Sequence, residues 1–348
     1  MPRETTRGDE LMETKMTKAV SLSNRFKRAA AVLALTAASL PGMGFAADDY
    51  PSRPIKLVVS YAAGGGNDIT ARMLAAEMSK HMGQSVVVEN MPGASAMIAT
   101  KYVVRAAPDG YTLLVTDSAL ATTPFLYKLG YDWKTDLTPI SLLAKIPNVL
   151  TVNAALPIHN VTELIEYSKT HDLSYSSSGI GNANHLNGEM FNKMAGTKIN
   201  HIPYKGTAPQ LADTAAGHVS MTFGSIGASQ PFIDTGKIRA IAVSSAERVS
   251  AMPQVPTIGE TPILAGYDIS NYFGFFGPAN LPAPVLEKLS FAVQKYFLEN
   301  PEIVKKLKGM GFEPQPNTPE QFRTFLNEES LKYGKIISEA GIKLESAQ

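Results

Sequence analysis

The chain has 348 residues, 32 Lys and Arg against 31 Asp and Glu, and no cysteine. A formal charge of +1 leaves no basic surplus for a nucleic-acid backbone, and the missing cysteine excludes a disulfide scaffold, a thiolate metal site and a cysteine nucleophile. The six histidines show no metal-ligand spacing, so no metal and no cofactor is expected.

The N-terminal segment reads as an export signal. "RFKR" at 25–28 is basic, "AAAVLALTAASL" is apolar, and "PGMGFA" ends with small residues at Gly44 and Ala46. About twelve apolar residues fall short of the roughly 30 Å of hydrocarbon that a spanning helix must cross. Residues 1–46 are therefore expected to be a cleaved signal peptide and the mature protein to be soluble and periplasmic. Residues 1–15 look extra, because Met16 would begin a signal of ordinary length. The signal takes seven basic and four acidic residues with it, leaving 25 against 27 and a net charge of −2. The rest is long enough for one large or two ordinary domains.

The mature chain alternates strand and helix. "IKLVVSY", the helix "NDITARMLAAEMSKHMG" with Gly83 as its stop, and "SVVVEN" come first. The helix "MIATKYVVRAA" and the strand "YTLLVTD" follow. Such alternation indicates parallel sheet with helices on its faces. The pattern restarts at "NVLTVNA", and Asn160 and Glu163 then frame a capping box for the helix "VTELIEYSKT". Next come "LSYSSSG", a helix from about Asn184, "INHIPY", the helix "APQLADTAAG", "HVSMTFG" and "KIRAIAVSS". Two such sets predict two lobes. The last eighty residues read as a strand, "YFGFFGPANLP", and three helices starting near Pro284, Pro301 and Pro319. These are expected to fold back on the first lobe.

Three strand-to-helix turns carry the candidate chemistry. In "LVVSYAAGGGND", Gly64, Gly65, Asn67 and Asp68 present free N–H groups where a helix begins, a natural anion seat. The dinucleotide fingerprint fails there because its third glycine position is Ile69, and no Gly-Lys-Ser/Thr follows for a phosphate loop. Asp68 suits an anion poorly as a neighbour and is expected to cap the helix or order the loop. "SSSGIGNANH" offers Ser178, Gly179 and Gly181, with His185 at the helix start. "HIPYKGTAPQ" adds Tyr204, Lys205 and Gly206, the lysine as a charge for a carboxylate or simply exposed. Tyr61, Tyr204 and Phe223 are candidates for the cleft lining or for the core. A secreted hydrolase or isomerase using Ser178 and His185 is the competing class, although no G-x-S-x-G elbow occurs. A ligand-sensing module for a signalling receptor is a third.

"YPSRPIKLVVSYAAGGGND", "GYTLLV", "SSGIGNANHL", "HIPYKGTAP" and "GKIRAIAVSSAERVSAMPQVPTIGE", in order from Tyr50 to about Ala340, resemble the Bug (TctC-like) extracytoplasmic solute receptors. The resemblance implies an α/β, two-lobed periplasmic-binding-protein fold of type II. Each lobe would be a mostly parallel sheet flanked by helices, with a ligand cleft between them. Lobe 1 would comprise residues 47–150 plus 269–348 and lobe 2 residues 151–268. The expected partners are a small carboxylate ligand and the integral-membrane subunits of a tripartite tricarboxylate transporter, the receptor itself being a monomer. Such receptors hold a carboxylate through main-chain amides and waters. Carried onto this chain, Gly64, Gly65, Asn67 and Asp68 form one clamp loop and Ser178, Gly179, Gly181 and His185 the other. Tyr204-Lys205-Gly206 forms the remaining wall. Ala63 and Asn67 depart from the usual pattern, and Ser220 and Gly224 stand where acidic residues are common. That last departure disfavours ligands with an amino group, and the aromatic candidates lean towards a flat dicarboxylate such as terephthalate. If the export reading holds, mass spectrometry of the periplasmic protein finds a chain beginning at Ala47 or Asp48, and an intact N-terminus there overturns it.

Overall fold

The computed structural model describes residues 50–204 and 206–342. Residues 1–46, expected above to be a signal peptide, Lys205 and residues 343–348, expected to end lobe 1, lie outside the described residues. In chain order the first set is β1 (Ile55–Val59), α1 (Gly66–Met82), β2 (Val86–Asn90), α2 (Met97–Val104), β3 (Thr112–Asp117), α3 (Ala119–Leu126) and the short α4 (Trp133–Asp136). A long strand, β4 (Leu137–Asn153), leads into the second set. That set is α5 (Val161–Ser168), β5 (Ser174–Ser177), α6 (Ala183–Ala195), β6 (Asn200–Pro203), α7 (Thr207–Ala216), β7 (Met221–Ser225), α8 (Ile226–Asp234) and β8 (Ile238–Val243). The return is β9 (Ser270–Pro278), α9 (Ala283–Ala292), a π-helical turn at Val293–Leu298, α10 (Pro301–Gly309), β10 (Glu313–Pro314) and α11 (Pro319–Glu339).

The strands pair as two sheets that share β4. In the first, β1 lies parallel between β2 and β3, with Ile55 opposite Val86 and Lys56 opposite Thr112. In the second, β5 lies parallel between β6 and β7. The expectation of mostly parallel sheets needs correction, because each parallel trio is completed by antiparallel strands. β9 pairs antiparallel with β3 and β4, and β7 and β8 pair antiparallel with β4. The first eleven residues of β4 face β9, Leu137 opposite Pro278 through to Pro147 opposite Ser270. From Asn148 onwards it faces β7 and β8.

Only the last third of β4 was legible as a strand, and α3 and α8 were missed. "LTPISLLAKIP" contains two prolines and a lysine, which argue against a central strand. The strand accommodates them with register shifts between Pro139 and Ser141 and between Leu142 and Ala144. Pro147 falls where the partner changes. The capping expectation at Asn160 is half met. Its side chain accepts from Glu163 N–H at 2.9 Å, but Glu163 reaches back one residue further, to His159 N–H. At Thr318 the reciprocal pair with Gln321 is complete.

The C-terminal helices do fold back on the first sheet. Val285 and Leu289 of α9, and Ile303 and Leu307 of α10, join Leu57, Val115 and Leu143 in one buried cluster. Phe322 and Leu326 of α11 join Leu114 and Phe276 in another. The end of α11 also meets the second set, through the ion pair of Lys193 with Glu339. Tyr333 Oη donates to Ser270 O at 2.8 Å beside the point where β9 begins. Contact between sheet and helix is close enough at Gly274 to require the absence of a side chain. A Cβ there would lie 2.6 Å from Phe322 Cζ and 2.7 Å from Phe276 Cε2. Gly274→Ala should therefore cost about 1–3 kcal/mol of stability through overpacking. Urea denaturation measures it, and an unchanged midpoint would show that α11 is free to move away.

Candidate ligand-binding site

A cleft of about 550 Å³ opens between the two sets of elements, lined from one side by Gly65, Asn67 and Asp117 and from the other by Ser178, Gly179 and Asn184. Its wall is made largely of helix beginnings. Gly65, Ala96, Ser118, Asn182, Gly206 and Ser225 all line it, and each is the N-cap residue of a helix, namely α1, α2, α3, α6, α7 and α8. This follows from topology, since a helix that follows a strand starts at the strand's carboxyl end.

The first loop is shaped from below by Asp68. Its Oδ2 accepts from Gly64 N–H at 2.9 Å and from Arg72 Nε at 2.9 Å, while Oδ1 accepts from Asn90 Nδ2 at 2.9 Å. Asn90 also donates to Tyr61 O at 2.9 Å. Burial pushes the Asp68 carboxyl up, but the bonds from Arg72, Gly64 and Asn90 outweigh it and hold it below the ordinary range. Asp68 is thus the loop-orderer that its charge predicted. It is turned away from the cleft, and Gly64 spends its N–H on Asp68 instead of on a ligand. Gly65, Gly66 and Asn67 precede the first helical hydrogen bond, Ile69 N–H to Gly65 O at 2.9 Å, and all three line the cleft. Asn67 is only 4% exposed, and neither its Nδ2 nor its Oδ1 has a partner.

The second loop has a similar support. Asn182 Oδ1 caps α6 by accepting from His185 N–H at 3.0 Å, and its Nδ2 donates to Ser178 Oγ at 2.8 Å. His185 is 5% exposed and accepts from Gly181 N–H through Nδ1 at 3.0 Å, with Nε2 at 3.6 Å from Glu189. Both ring nitrogens are therefore turned to the fold and neither to Ser178, which removes the hydrolase pairing. Gly181 lets the loop dock, since a Cβ there would meet Leu126 Cδ1 at 2.3 Å and φ is +78°. Ser178 and Gly179 remain on the cleft face, while Gly181 and His185 lie beneath it.

The third wall divides in the same way. Gly206 lines the cleft, whereas Tyr204 Oη donates to Asp213 at 2.7 Å. Burial and that carboxylate push the Tyr204 phenol up to about 12. Phe223 is fully buried, edge-on to Tyr175 at 6.4 Å between ring centroids. Tyr61 does line the cleft, with its hydroxyl on Asp117 Oδ1 at 2.9 Å. Side chains that the motif reading passed over are Asp117, Asn148, Asn184, Asn271 and Phe273. Asp117 had a usable signal, being the last residue of a parallel strand. Asn148, Asn271 and Phe273 come from the antiparallel β4 and β9, which no turn motif flags.

Under the second loop lies a stacked pair, His185 on His201 at 3.9 Å between centroids, with His201 Nε2 at 2.6 Å from Ser177 Oγ. Burial first, and then the His185 ring, push His201 down to about 4 against the opposing pull of Glu189.

The family model described as "Tripartite tricarboxylate transporter family receptor" matches residues 70–342. The UPF0065 protein in the tcbD-tcbE intergenic region of Pseudomonas sp. (strain P51) is 32% identical over 295 residues, 84% of this chain and 88% of that one. Rpa4515 of R. palustris, solved with adipate, is 36% identical with a TM-score of 0.76, covering 85% of this chain and all of the other. MatC (Rpa3494) of Rhodopseudomonas palustris, solved with bound malate, is 30% identical with a TM-score of 0.71, covering 83% of this chain and all of the other.

The His201 site yields a pH prediction. An unfolded histidine takes its proton near pH 6.5 and the folded one only near 4, so stability is whole above the first value and is lost as pH falls towards the second. His201→Gln should flatten the fall in Tm between about pH 6.5 and 4, and a slope equal to wild type would refute the assignment.

Proposed function

This chain belongs to the tripartite tricarboxylate transporter receptor family, whose members are receptors and not enzymes, and from that premise we propose that it captures a small carboxylate in its cleft and delivers it to membrane subunits of such a transporter. The observation that carries the reading is the convergence of six helix N-caps on one cavity. Each N-terminus carries the equivalent of roughly half a positive charge, offset at α3 by Asp117, which takes the Ala119 N–H. Together they favour an anion without any arginine, and no arginine is found among the described lining residues. Charge-assisted bonds to such amides contribute roughly 1.5–3 kcal/mol each, so four or five can sustain binding near the micromolar level of about 8 kcal/mol.

The adipate and malate held by two structural relatives agree with a carboxylate as the common element. Gly65, Gly66 and Asn67 would hold it from one side and Ser178, Gly179 and the start of α6 from the other, with Gly206 closing the wall and Lys205 as a further source of charge. The division into two lobes, meeting where β4 changes partner near Pro147 and β9 begins at Ser270, fits a cleft of this kind. An exported monomer working in the periplasm is part of the same reading. A flat aromatic ligand loses two of its three supports, because Phe223 is in the core and Tyr204 is bonded to Asp213.

The test is a thermal-shift screen of carboxylic acids against their primary amides, followed by calorimetry. A carboxylate at a hundredfold excess over its Kd should stabilise the fold by about 2.7 kcal/mol, and the amide should not. Gly179→Val should weaken that binding by at least about tenfold, because φ of +147° suits glycine and a side chain obstructs backbone approach. Equal binding of acid and amide, or wild-type affinity in the variant, would sink the two-sided clamp.

A further inference from the structure

The cleft is not positive throughout, and the exception is Asp117. This residue ends β3, is half-buried, and lines the cavity. It is the only acidic or basic side chain among the described lining residues. Oδ1 is fully engaged, accepting from Tyr61 Oη at 2.9 Å and from Ala119 N–H at 3.0 Å. Oδ2 has only Asn271 Nδ2, at a long 3.3 Å. Asn271 is itself held by Ser118 N–H at 3.1 Å and Tyr272 N–H at 2.8 Å, both onto its Oδ1, so its amide cannot turn to offer a better bond.

The partners of this carboxylate are all neutral. Burial pushes the Asp117 carboxyl up from its ordinary range, and bonds from Ala119, Tyr61 and Asn271 only partly offset that. The field of α3 does not rescue an anionic ligand here. A helix dipole acts within its first turn, and the Ala119 N–H is already taken by Asp117. On the same wall of the cavity, past the end of the neighbouring strand β1, the α1 terminus has unspent donors, including the buried, unpartnered amide of Asn67. The site therefore has an amide-rich end and an acidic end.

We infer that Asp117 is the specificity-determining residue of the cleft and that the ligand is an amino carboxylate, its carboxylate on the glycine loops and its ammonium on Asp117 Oδ2. This rests on the carboxylate reading above and reverses the expectation drawn from Ser220 and Gly224, neither of which lines the cleft. An ammonium restores to Asp117 the counter-charge that the fold withholds, whereas a second carboxylate would meet like charge at short range.

Calorimetry on the intact mature protein tests this with matched probes: L-aspartate against L-malate, 4-aminobutanoate against succinate, and 6-aminohexanoate against adipate. The tightest binder of the six should carry an ammonium group. Asp117→Asn should cut the affinity ratio of that probe to its match by about tenfold or more. The ratio is the readout because a general weakening of the site lowers both members of a pair alike. A tightest binder without an amino group, or an unchanged ratio in Asp117→Asn, overturns the inference while leaving the carboxylate receptor standing. Failure of these six and of every acid in the wider screen would overturn the carboxylate reading and this inference with it.

Discussion

Strand β4 is buried along nearly all of its seventeen residues and is hydrogen-bonded first to β9 and then to β7 and β8. A strand fixed on both edges cannot slip without moving every side chain to the wrong face. It therefore sets the position of one sheet relative to the other. Because parallel strands in each sheet end towards the shared region, the helices that follow them begin there. The cleft and its ring of N–H groups are consequences of that arrangement.

The two ionisable side chains of the glycine loops, Asp68 and His185, do not face the cleft. Asp68 and His185 each accept a backbone N–H from a glycine in their own loop, Gly64 and Gly181. Both are buried. Their work is to fix loop shape, so that the surface turned to a ligand is main chain and small polar groups. A backbone-lined site reads the feature that many acids share, which is compatible with a family whose solved relatives hold different carboxylates. On the proposed reading, discrimination would fall to the few side chains that project from the strands into the cleft, among them Asp117 and the asparagines at 148 and 271.

Alternation of strand and helix, the stops at Gly83 and the cap at Thr318 were legible in the sequence because they depend on local chemistry: period, left-handed glycines and side-chain-to-backbone bonds. The family motifs were legible for the same reason, as contiguous turn segments. The first two thirds of β4 were hidden because its prolines and lysine violate the local rule and are tolerated only through bulges and long-range pairing. Which residues of "GGGND" and "SSGIGNANH" face a ligand was also out of reach. Adjacent residues in a turn point in different directions, and only the neighbours they meet, Arg72 and Asn90 for one loop and His201 and Leu126 for the other, decide which are spent on the fold. Tertiary structure alone brought Asp117 beside Asn271, 154 positions away in sequence, since the pairing of β3 with β9 sets that contact and no local pattern encodes it.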